Sequence, residues 1–526
     1  MTSILKYLNR ALLVLLLAAF AACSDNEGGN ESNGNGDDGN TETPADGDTY
    51  GYIKDTNGNP VEGVVVSDGY SCTATDAEGR YALTRNADAG FVFYSLPSAY
   101  KVSVDKTYKL PRFFARLQAG TARYDFTLEA LAAPEKRFDL ICIGDPQINE
   151  ASHAVRFKEE AGREIREYAA SAGVPCYGIT LGDHVNNKWT LFTNMVVALQ
   201  PEQTGVPVFA TIGNHDHEFP TADEKAARAK YESYFGPVDY SFNRGDVHVV
   251  SMDNVIHSCK ASADYEGGFT AAQYAWLKQD LSFVPKDKMV ILCVHIPFRG
   301  GWGTNSAHAD ADKYYDEVLD LLSQYEYAAI MSAHTHSNIN YIHRKNGKEI
   351  FEHVTGTTCG AWWRSTVCTE GTPIGFGLYR IDGNRMEEWA YRSVRHDEQF
   401  PIRLYRASDT FVGGAKYRFK QTGADQIVAN IWNWDPSWTV NVYENDVLSG
   451  QMTRNSDIDA WTVAYHIGLL NNTDSYRKSS DHMFHYTLKN PAAAVRVEAI
   501  DRFGNKYEQT VFTDPAEHPG DFHADF

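Results

Sequence analysis

Polar side chains of the kinds that bind metal ions follow five apolar runs in the middle of the sequence. FDLICIG is followed by Asp-Pro-Gln, ITLG by Asp-His-Val-Asn, and FATIG by Asn-His-Asp, while ILCV ends in a single His and IMSA in His-Thr-His. Such groups cost free energy when they are buried without partners, and bound cations would satisfy them. The candidate ligands are Asp145, Gln147, Asp183, Asn214, His295, His334 and His336.

The elements that must position these ligands lie between residues 137 and 392. Apolar runs alternate there with amphipathic stretches of helical period, a pattern typical of a layered α/β domain. Folds of this class place their ligand sites at the carboxyl ends of the strands. We therefore expect the candidate ligands to meet at one edge of a sheet.

This ordered set of motifs resembles the calcineurin-like metallophosphoesterase family, whose pattern is DxH, GDxx, GNH with Asp or Glu, a single His, and GHxH. The resemblance covers residues 137–392 and implies a four-layer α/β/β/α core. It also implies hydrolysis of a phosphate monoester or diester by a water that bridges two metal ions. Imidazole and carboxylate ligands suit Mn, Fe, Zn or Ni.

The resemblance also assigns roles to single residues. Asp183 would bridge the two cations, one of which takes Asp145, Gln147 and His336, and the other Asn214, His295 and His334. His215 would stabilise the phosphoryl oxygen or protonate the leaving group, with Asp216 orienting it.

Three positions depart from the family pattern. Gln147 replaces a His, so one ligand is a neutral amide, which should loosen that metal or shift its preference toward Mn or Mg. Ala333 replaces the Gly of GHxH, a change that we expect to be tolerated. Asn186 stands where purple acid phosphatases carry a ligating Tyr, so a coloured ferric–tyrosinate centre is not expected.

Residues beside these motifs are candidates for substrate contact, each with a structural alternative. His184 and Arg299 could contact phosphate, or could be solvated or held in structural hydrogen bonds. Trp362, Trp363 and Arg364 could wall the substrate pocket or pack a domain interface. They follow a segment that resembles the link to the C-terminal domain in one subfamily.

Two further domains flank the α/β core. Residues 49–132 read as short strands with turn signals, which predicts a small β-sandwich. The stretch from Gly51 to Leu83 resembles carboxypeptidase-regulatory-like, or transthyretin-like, modules, and it could contact carbohydrate or serve as a spacer. Residues 394–526 show alternating strands, which predicts a second β-sandwich, resembling the C-terminal β domain of the same phosphoesterase subfamily.

The N-terminus resembles the export signal of a bacterial lipoprotein. Residues 1–22 hold Lys6 and Arg10 before an apolar run that falls short of the roughly 20 residues needed to cross a bilayer. The lipobox-like FAAC implies acylation of Cys23, and hence a membrane anchor on the periplasmic or outer surface. A plain signal peptide with an incidental cysteine is the alternative. Residues 23–48 have the composition of a disordered acidic tether.

The net charge and the cysteine content limit the functions that the sequence allows. The net charge of −21 argues against non-specific nucleic-acid binding and would repel phosphorylated substrates unless cations reverse the local sign. Cys359 and Cys368 could pair in an oxidising compartment. The alternatives to ester hydrolysis are action on a pyrophosphate or lipid-linked phosphate, and a surface binding protein whose metal site has decayed.

Overall fold

A computed structural model describes residues 47–261, 264–299, 313–394, 400–408, 418–472 and 476–513. The predicted signal peptide, nearly all of the predicted tether, and Cys23 lie outside these residues. No helix within the described ranges is both long enough and apolar enough to cross a membrane.

The N-terminal region forms two small sheets. Their strand orders are β4-β1-β7 and β3-β2-β5-β6. Both sheets bury apolar side chains, among them Ile53, Val66 and Val92. The strands are β1 (Thr49–Asp55), β2 (Val65–Ser67), β3 (Cys72–Ala74), β4 (Arg80–Leu83), β5 (Phe91–Tyr94), β6 (Phe114–Arg116) and β7 (Phe126–Leu128).

The central region holds two larger sheets, in the orders β10-β9-β8-β19-β20 and β11-β12-β15-β16-β18-β17, with β13 and β14 forming a separate hairpin. The strands are β8 (Arg137–Ile143), β9 (Cys176–Leu181), β10 (Val208–Thr211), β11 (Tyr240–Arg244), β12 (Val247–Ser251), β13 (Val255–His257), β14 (Tyr265–Gly267), β15 (Met289–Cys293), β16 (Tyr327–Ser332), β17 (Ile339–Lys345), β18 (Lys348–Val354), β19 (Gly375–Asp382) and β20 (Arg385–Ser393).

Helices cover the outer faces of these two sheets, and the alternation of side chains along β8 shows why. Leu140 and Cys142 point into the core shared with the second sheet. Ile141 and Ile143 point the other way and pack against helices. A strand buried on both faces needs apolar residues at nearly every position, which explains the run LICI; the buried Asp139 before it accepts from the Tyr168 hydroxyl at 2.6 Å. The helices are α1 (Ala151–Glu159), α2 (Ala161–Ser171), α3 (Phe192–Leu199), α4 (Pro201–Thr204), α5 (Glu224–Phe235), α6 (Ala271–Ser282) and α7 (Tyr315–Leu322).

The C-terminal region again pairs two antiparallel sheets, β21-β22-β28-β25 and β24-β23-β29-β30. A short helix, Ala460–Thr462, continues into a π-helical turn, Val463–Leu469. The strands are β21 (Ile402–Arg406), β22 (Gln426–Ile431), β23 (Thr439–Glu444), β24 (Val447–Gln451), β25 (Thr453–Arg454), β26 (Asp457–Ile458), β27 (Ser479–Ser480), β28 (Met483–Thr487), β29 (Val495–Ile500) and β30 (Lys506–Gln509). The predicted mixed α/β class with flanking β domains is confirmed.

A buried arginine ties the N-terminal sheets to the central region. Arg244, at the end of β11, is fully buried, and its Nη2 donates to the carbonyls of Pro97 (2.9 Å) and Tyr100 (2.6 Å). Its Nη1 lies 3.4 Å from the carboxylate of Glu135. The guanidinium therefore satisfies acceptors on both sides of the junction.

Replacing this arginine should loosen the junction. Arg244→Leu leaves the two carbonyls without this donor and removes the cation beside the Glu135 carboxylate, so the free energy of unfolding should fall by about 3 kcal/mol. Urea unfolding followed by near-ultraviolet circular dichroism measures the change. Arg163→Leu, at a half-exposed helical position, is the control. Equal unfolding curves for the two variants would show that Arg244 does not stabilise the junction.

Candidate metal centre

The strand ends of the two central sheets meet at one edge. Strands β8, β9 and β10 run parallel in one sheet, and β12, β15 and β16 run parallel in the other. The loops that follow their carboxyl ends therefore face each other. Ligand atoms of Asp183, His295 and His334 all lie within 4.8 Å of one another there.

One half of the cluster centres on His295. Its Nε2 lies 2.9 Å from Asn214 Oδ1, 3.1 Å from His334 Nδ1 and 3.4 Å from Asp183 Oδ1. The His295 backbone N–H donates to Asn254 Oδ1 at 3.1 Å, which holds the loop in place. Sequence reasoning missed this asparagine because nothing near it in the chain belongs to a motif.

The other half of the cluster lies on the opposite side of Asp183. Gln147 Nε2 donates to Asp183 Oδ2 at 3.1 Å, and His336 Nε2 lies 3.7 Å from Asp145 Oδ1. The structure thus brings all seven predicted ligands together, in two groups that share Asp183.

Three polar atoms in this cluster show that its residues fit a cation. Asp145 Oδ1, Gln147 Oε1 and His336 Nδ1 are buried, and none has a hydrogen-bond partner among the described residues. A buried polar atom without a partner costs about 1–3 kcal/mol, and coordination to a metal ion removes that cost. Carboxylate, amide and imidazole atoms are suitable ligands for a divalent transition metal.

Burial and neighbouring charges set the protonation of the ligands. Burial raises the pKa of the Asp145 carboxyl well above its ordinary value. Burial also lowers the pKa of His334, and it lowers the pKa of His336 to about 3. Burial opposes the charged form of His295 as well, but the Asp183 carboxylate beside it raises its pKa to about 9. Two of the three imidazoles are therefore neutral, the form that binds metal.

The backbone at the ligands is unusual. Five of the predicted ligands have positive φ, from +37° at Gln147 to +67° at His334. Non-glycine residues adopt this region rarely and at a cost of about 1–3 kcal/mol each, so such strain is concentrated at functional sites. These five residues are Asp145, Gln147, Asp183, His334 and His336.

Two glycines allow the loops to approach each other. A Cβ on Gly182, whose φ is +94°, would lie 2.4 Å from His295 Nδ1. A Cβ on Gly213 would lie 2.3 Å from Asp183 Oδ1. The glycines of the GD and GN motifs are thus required by close packing around the ligands.

The structure corrects the role predicted for Asp216. Its carboxylate accepts from the backbone of Gly213 and His184 and lies 2.9 Å from His184 Nδ1, so it does not contact His215. His215 Nδ1 instead lies 2.8 Å from Asn187 Oδ1. The orienting residue is therefore Asn187, which sequence reasoning missed and for which only its closeness to the GDHVN motif is a signal.

The structure also corrects the predicted phosphate contact at His184. This side chain is fully buried, and its Nε2 lies 2.7 Å from Thr180 Oγ1 while its Nδ1 pairs with Asp216. The ring also packs 4.5 Å from that of Phe235. Both nitrogens are used within the core, so His184 supports the loop and does not reach a substrate.

The Trp-Trp-Arg segment divides into two environments. Trp363 is buried and its Nε1 donates to the carbonyl of Pro146 at 2.8 Å, so it packs behind the cluster and does not wall a pocket. Trp362 lies 4.9 Å from the His336 ring, and Arg364 stacks 5.3 Å from the ring of Tyr476 in the C-terminal region. Trp362 therefore lies beside a predicted ligand, whereas Arg364 packs against the C-terminal region, the alternative expected for it.

Other predicted and unpredicted residues lie around the site. Arg299 is exposed and stacks 5.7 Å from the ring of Tyr341, in a separate pocket. Cys359 and Cys368, whose pairing the sequence left open, are buried free thiols. Lys478, which no sequence motif indicated, acts electrostatically on His336, and burial lowers its own pKa to about 7.

A two-sheet α/β core with carboxylate, amide and imidazole groups gathered at its strand ends defines a metal-binding protein of the layered α/β class. Residues 124–338 match the family described as calcineurin-like phosphoesterase. Residues 48–131 match the N-terminal region of that family, and residues 352–507 match its C-terminal region. The chain belongs to the calcineurin-like phosphoesterase family.

Individual relatives are more distant. The chain is 26% identical over 181 residues to purple acid phosphatase 23 of Arabidopsis thaliana, a match over 31% of this chain and 36% of the relative. Purple acid phosphatase 18 of the same plant is 25% identical over 182 residues, which cover 32% of this chain and 38% of the relative. The chain thus spans little more than a third of the length of these curated relatives.

A solved structure, the 5'-nucleotidase precursor of Thermus thermophilus, is also similar to this chain. The match has 10% identity and a TM-score of 0.30, and it covers 49% of this chain and 54% of that one.

Close packing at Gly182 gives a test of the cluster. Gly182→Ala should lose most of the bound metal because its Cβ displaces the His295 ring. Metal content measured by mass spectrometry after dialysis reports the loss. Gly173→Ala is a matched control, since Gly173 also has positive φ (+71°) but has no atom within 4 Å of the added Cβ. Equal metal content in both variants would show that close packing of Gly182 against His295 is not needed for metal binding.

Proposed function

We propose that this protein hydrolyses a phosphate monoester or diester with the help of two metal ions held around Asp183. The observation that carries the proposal is the cluster itself, in which seven ligand-type side chains meet and three of their buried polar atoms have no hydrogen-bond partner among the described residues. In support, the family to which the chain belongs is named for phosphoester hydrolysis.

The cations would occupy the two halves of the cluster. Asp145, Gln147 and His336 would hold one, and Asn214, His295 and His334 the other, with Asp183 shared. When bound, such ions lower the pKa of water and offset the charge of a phosphate group. The positive charge also makes the site attractive to phosphate within a chain of net charge −21.

His215 is the residue of this chain best placed to handle a proton. Its side chain is 24% exposed, and its Nε2 lies 4.0 Å from Asp183 Oδ2. Asn187 Oδ1 accepts from Nδ1–H and fixes the ring, so a protonated His215 offers Nε2–H toward the open side of the cluster. From there it would stabilise a phosphoryl oxygen or protonate the leaving group.

The substrate side of the site would be completed by the C-terminal region. Tyr476 packs edge-on against Trp362 at 5.7 Å, and Trp362 lies beside His336. Lys478, in its protonated form, adds a positive charge near the same ligand. We propose that these groups, with Arg364, face the part of the substrate beyond its reacting phosphate.

Export and lipid attachment at Cys23 are proposed on sequence grounds alone. Fatty-acid labelling of the full chain should yield a labelled protein, and Cys23→Ser should remove the label. A labelled Cys23→Ser protein would contradict the proposal.

Removal of metal gives the first test of the reaction. The chain from residue 49 onward should lose turnover of para-nitrophenyl phosphate or its bis-ester in a chelator, because the ligand set needs its cations. Mn²⁺ should restore the activity, and the neutral Gln147 is expected to favour Mn²⁺ over Zn²⁺. No turnover with any metal or ester, together with tight glycan or protein binding, would support the binding-protein alternative instead.

The role of His215 gives the second test. His215→Ala should lower kcat by about 100-fold or more with metal content unchanged, because proton transfer is lost while all seven ligands remain. Asn187→Ala should lower kcat by a smaller factor, since the imidazole remains but is no longer oriented. Metal content is measured in parallel with turnover. Full activity in His215→Ala would show that the assignment is wrong.

A further inference from the structure

A second polar pocket opens between the edge strand β17 and the C-terminal region. Its volume is about 250 Å³, and its lining includes Arg299, Asn340 and Tyr341 from the central region and Trp434 and Arg454 from the C-terminal region. None of these residues is a predicted metal ligand. The pocket borders two segments that begin at predicted metal ligands, because Arg299 follows His295 and Asn338 follows His336 along the chain.

The lining carries an excess of positive charge. Arg299, Arg344 and Arg454 contribute three guanidinium groups, and Asp481 contributes the one carboxylate. Arg344 also pairs with Glu349 at 2.7 Å on the exposed side. A local positive excess in a chain of net charge −21 favours an anionic ligand.

Two of the arginines are held against aromatic rings. The Arg454 guanidinium lies 4.6 Å from the centre of a Trp434 ring, and that of Arg299 lies 5.7 Å from the Tyr341 ring. Stacking restricts each guanidinium and keeps its edge available for bidentate contact with an anion. The rings also offer apolar faces on which the C–H groups of a sugar can pack.

A buried asparagine in the wall joins the central region to the C-terminal region. Asn340 is only 4% exposed, and its Nδ2 donates to the carbonyls of Asn433 (3.1 Å) and Trp434 (3.0 Å). Its Oδ1 has no hydrogen-bond partner among the described residues. This oxygen is enclosed within the wall, so Asn340 holds the wall in place and ligand contact falls to the arginines and the aromatic rings.

We propose that this pocket binds an acidic sugar, that is, a saccharide ring that carries a carboxylate or phosphate group. The arginines contact the anionic group, and the aromatic rings pack against the sugar face. The volume lies just below the roughly 300 Å³ at the lower end of ligand pockets, so it suits a single sugar unit. The proposal does not depend on metal or on ester hydrolysis.

Calorimetric titration of the full chain tests the pocket. Glucuronate and glucose 6-phosphate are the probes, with a chelator present so that the metal centre contributes neither turnover nor binding through a cation. Both should bind, and the dissociation constants should rise at least tenfold in Arg454→Gln and in Arg299→Gln. These variants lie in different regions of the chain, so misfolding of one, detected by circular dichroism, leaves the other as a test.

A third arginine is the matched control. Arg496 lies 4.0 Å from the ring of Tyr443 in the C-terminal region but does not line the pocket, so Arg496→Gln should bind as the unchanged chain does. Glucose or inorganic phosphate that binds as tightly as the acidic sugars would overturn the assignment of ligand. No binding of either probe, or unchanged affinity in both Arg454→Gln and Arg299→Gln, would show that this pocket is not the binding site.

Discussion

Two carboxylates, an amide pair and three imidazoles share a nearly solvent-free space at the common edge of the two central sheets. In that space burial raises the pKa of Asp145, whereas at Asp183 the neighbouring histidines outweigh burial and hold the pKa below its ordinary value. Charges and unpartnered polar atoms in such a position are costly unless cations coordinate them. Much of the surrounding architecture can be understood as holding these groups together in spite of that cost.

The fold provides this restraint in two ways. Parallel strands from separate sheets bring their carboxyl ends to one edge, and both faces of those strands are packed, so the loops cannot separate. Gly182 and Gly213 carry no Cβ, so the strained ligand loops can pack closely against His295 and Asp183. Asp216 and Asn254 hold the loops through backbone hydrogen bonds and do not themselves belong to the ligand set.

The C-terminal region participates in the site as well as flanking it. Asn338 Nδ2 donates to the Trp432 carbonyl, and Ser365 Oγ lies 2.6 Å from His466 Nε2. These buried contacts fix the segments next to His336 and Trp362 against the last domain. One consequence is a wall of Trp362 and Tyr476 beside the ligands, and another is the arginine-lined pocket on the far side of Asn338.

The sequence by itself determined the α/β class, the family and the set of candidate ligands, because strand periodicity and motif order are local properties of the chain. Contacts between distant segments could be decided only by the tertiary structure. In the folded chain His215 pairs with Asn187, and His184 is enclosed in the core. Trp363 packs behind the cluster, and Arg299 lines another pocket. The physical reason is that left-handed backbone and packing set the direction of each side chain, and neither is encoded in motif spacing.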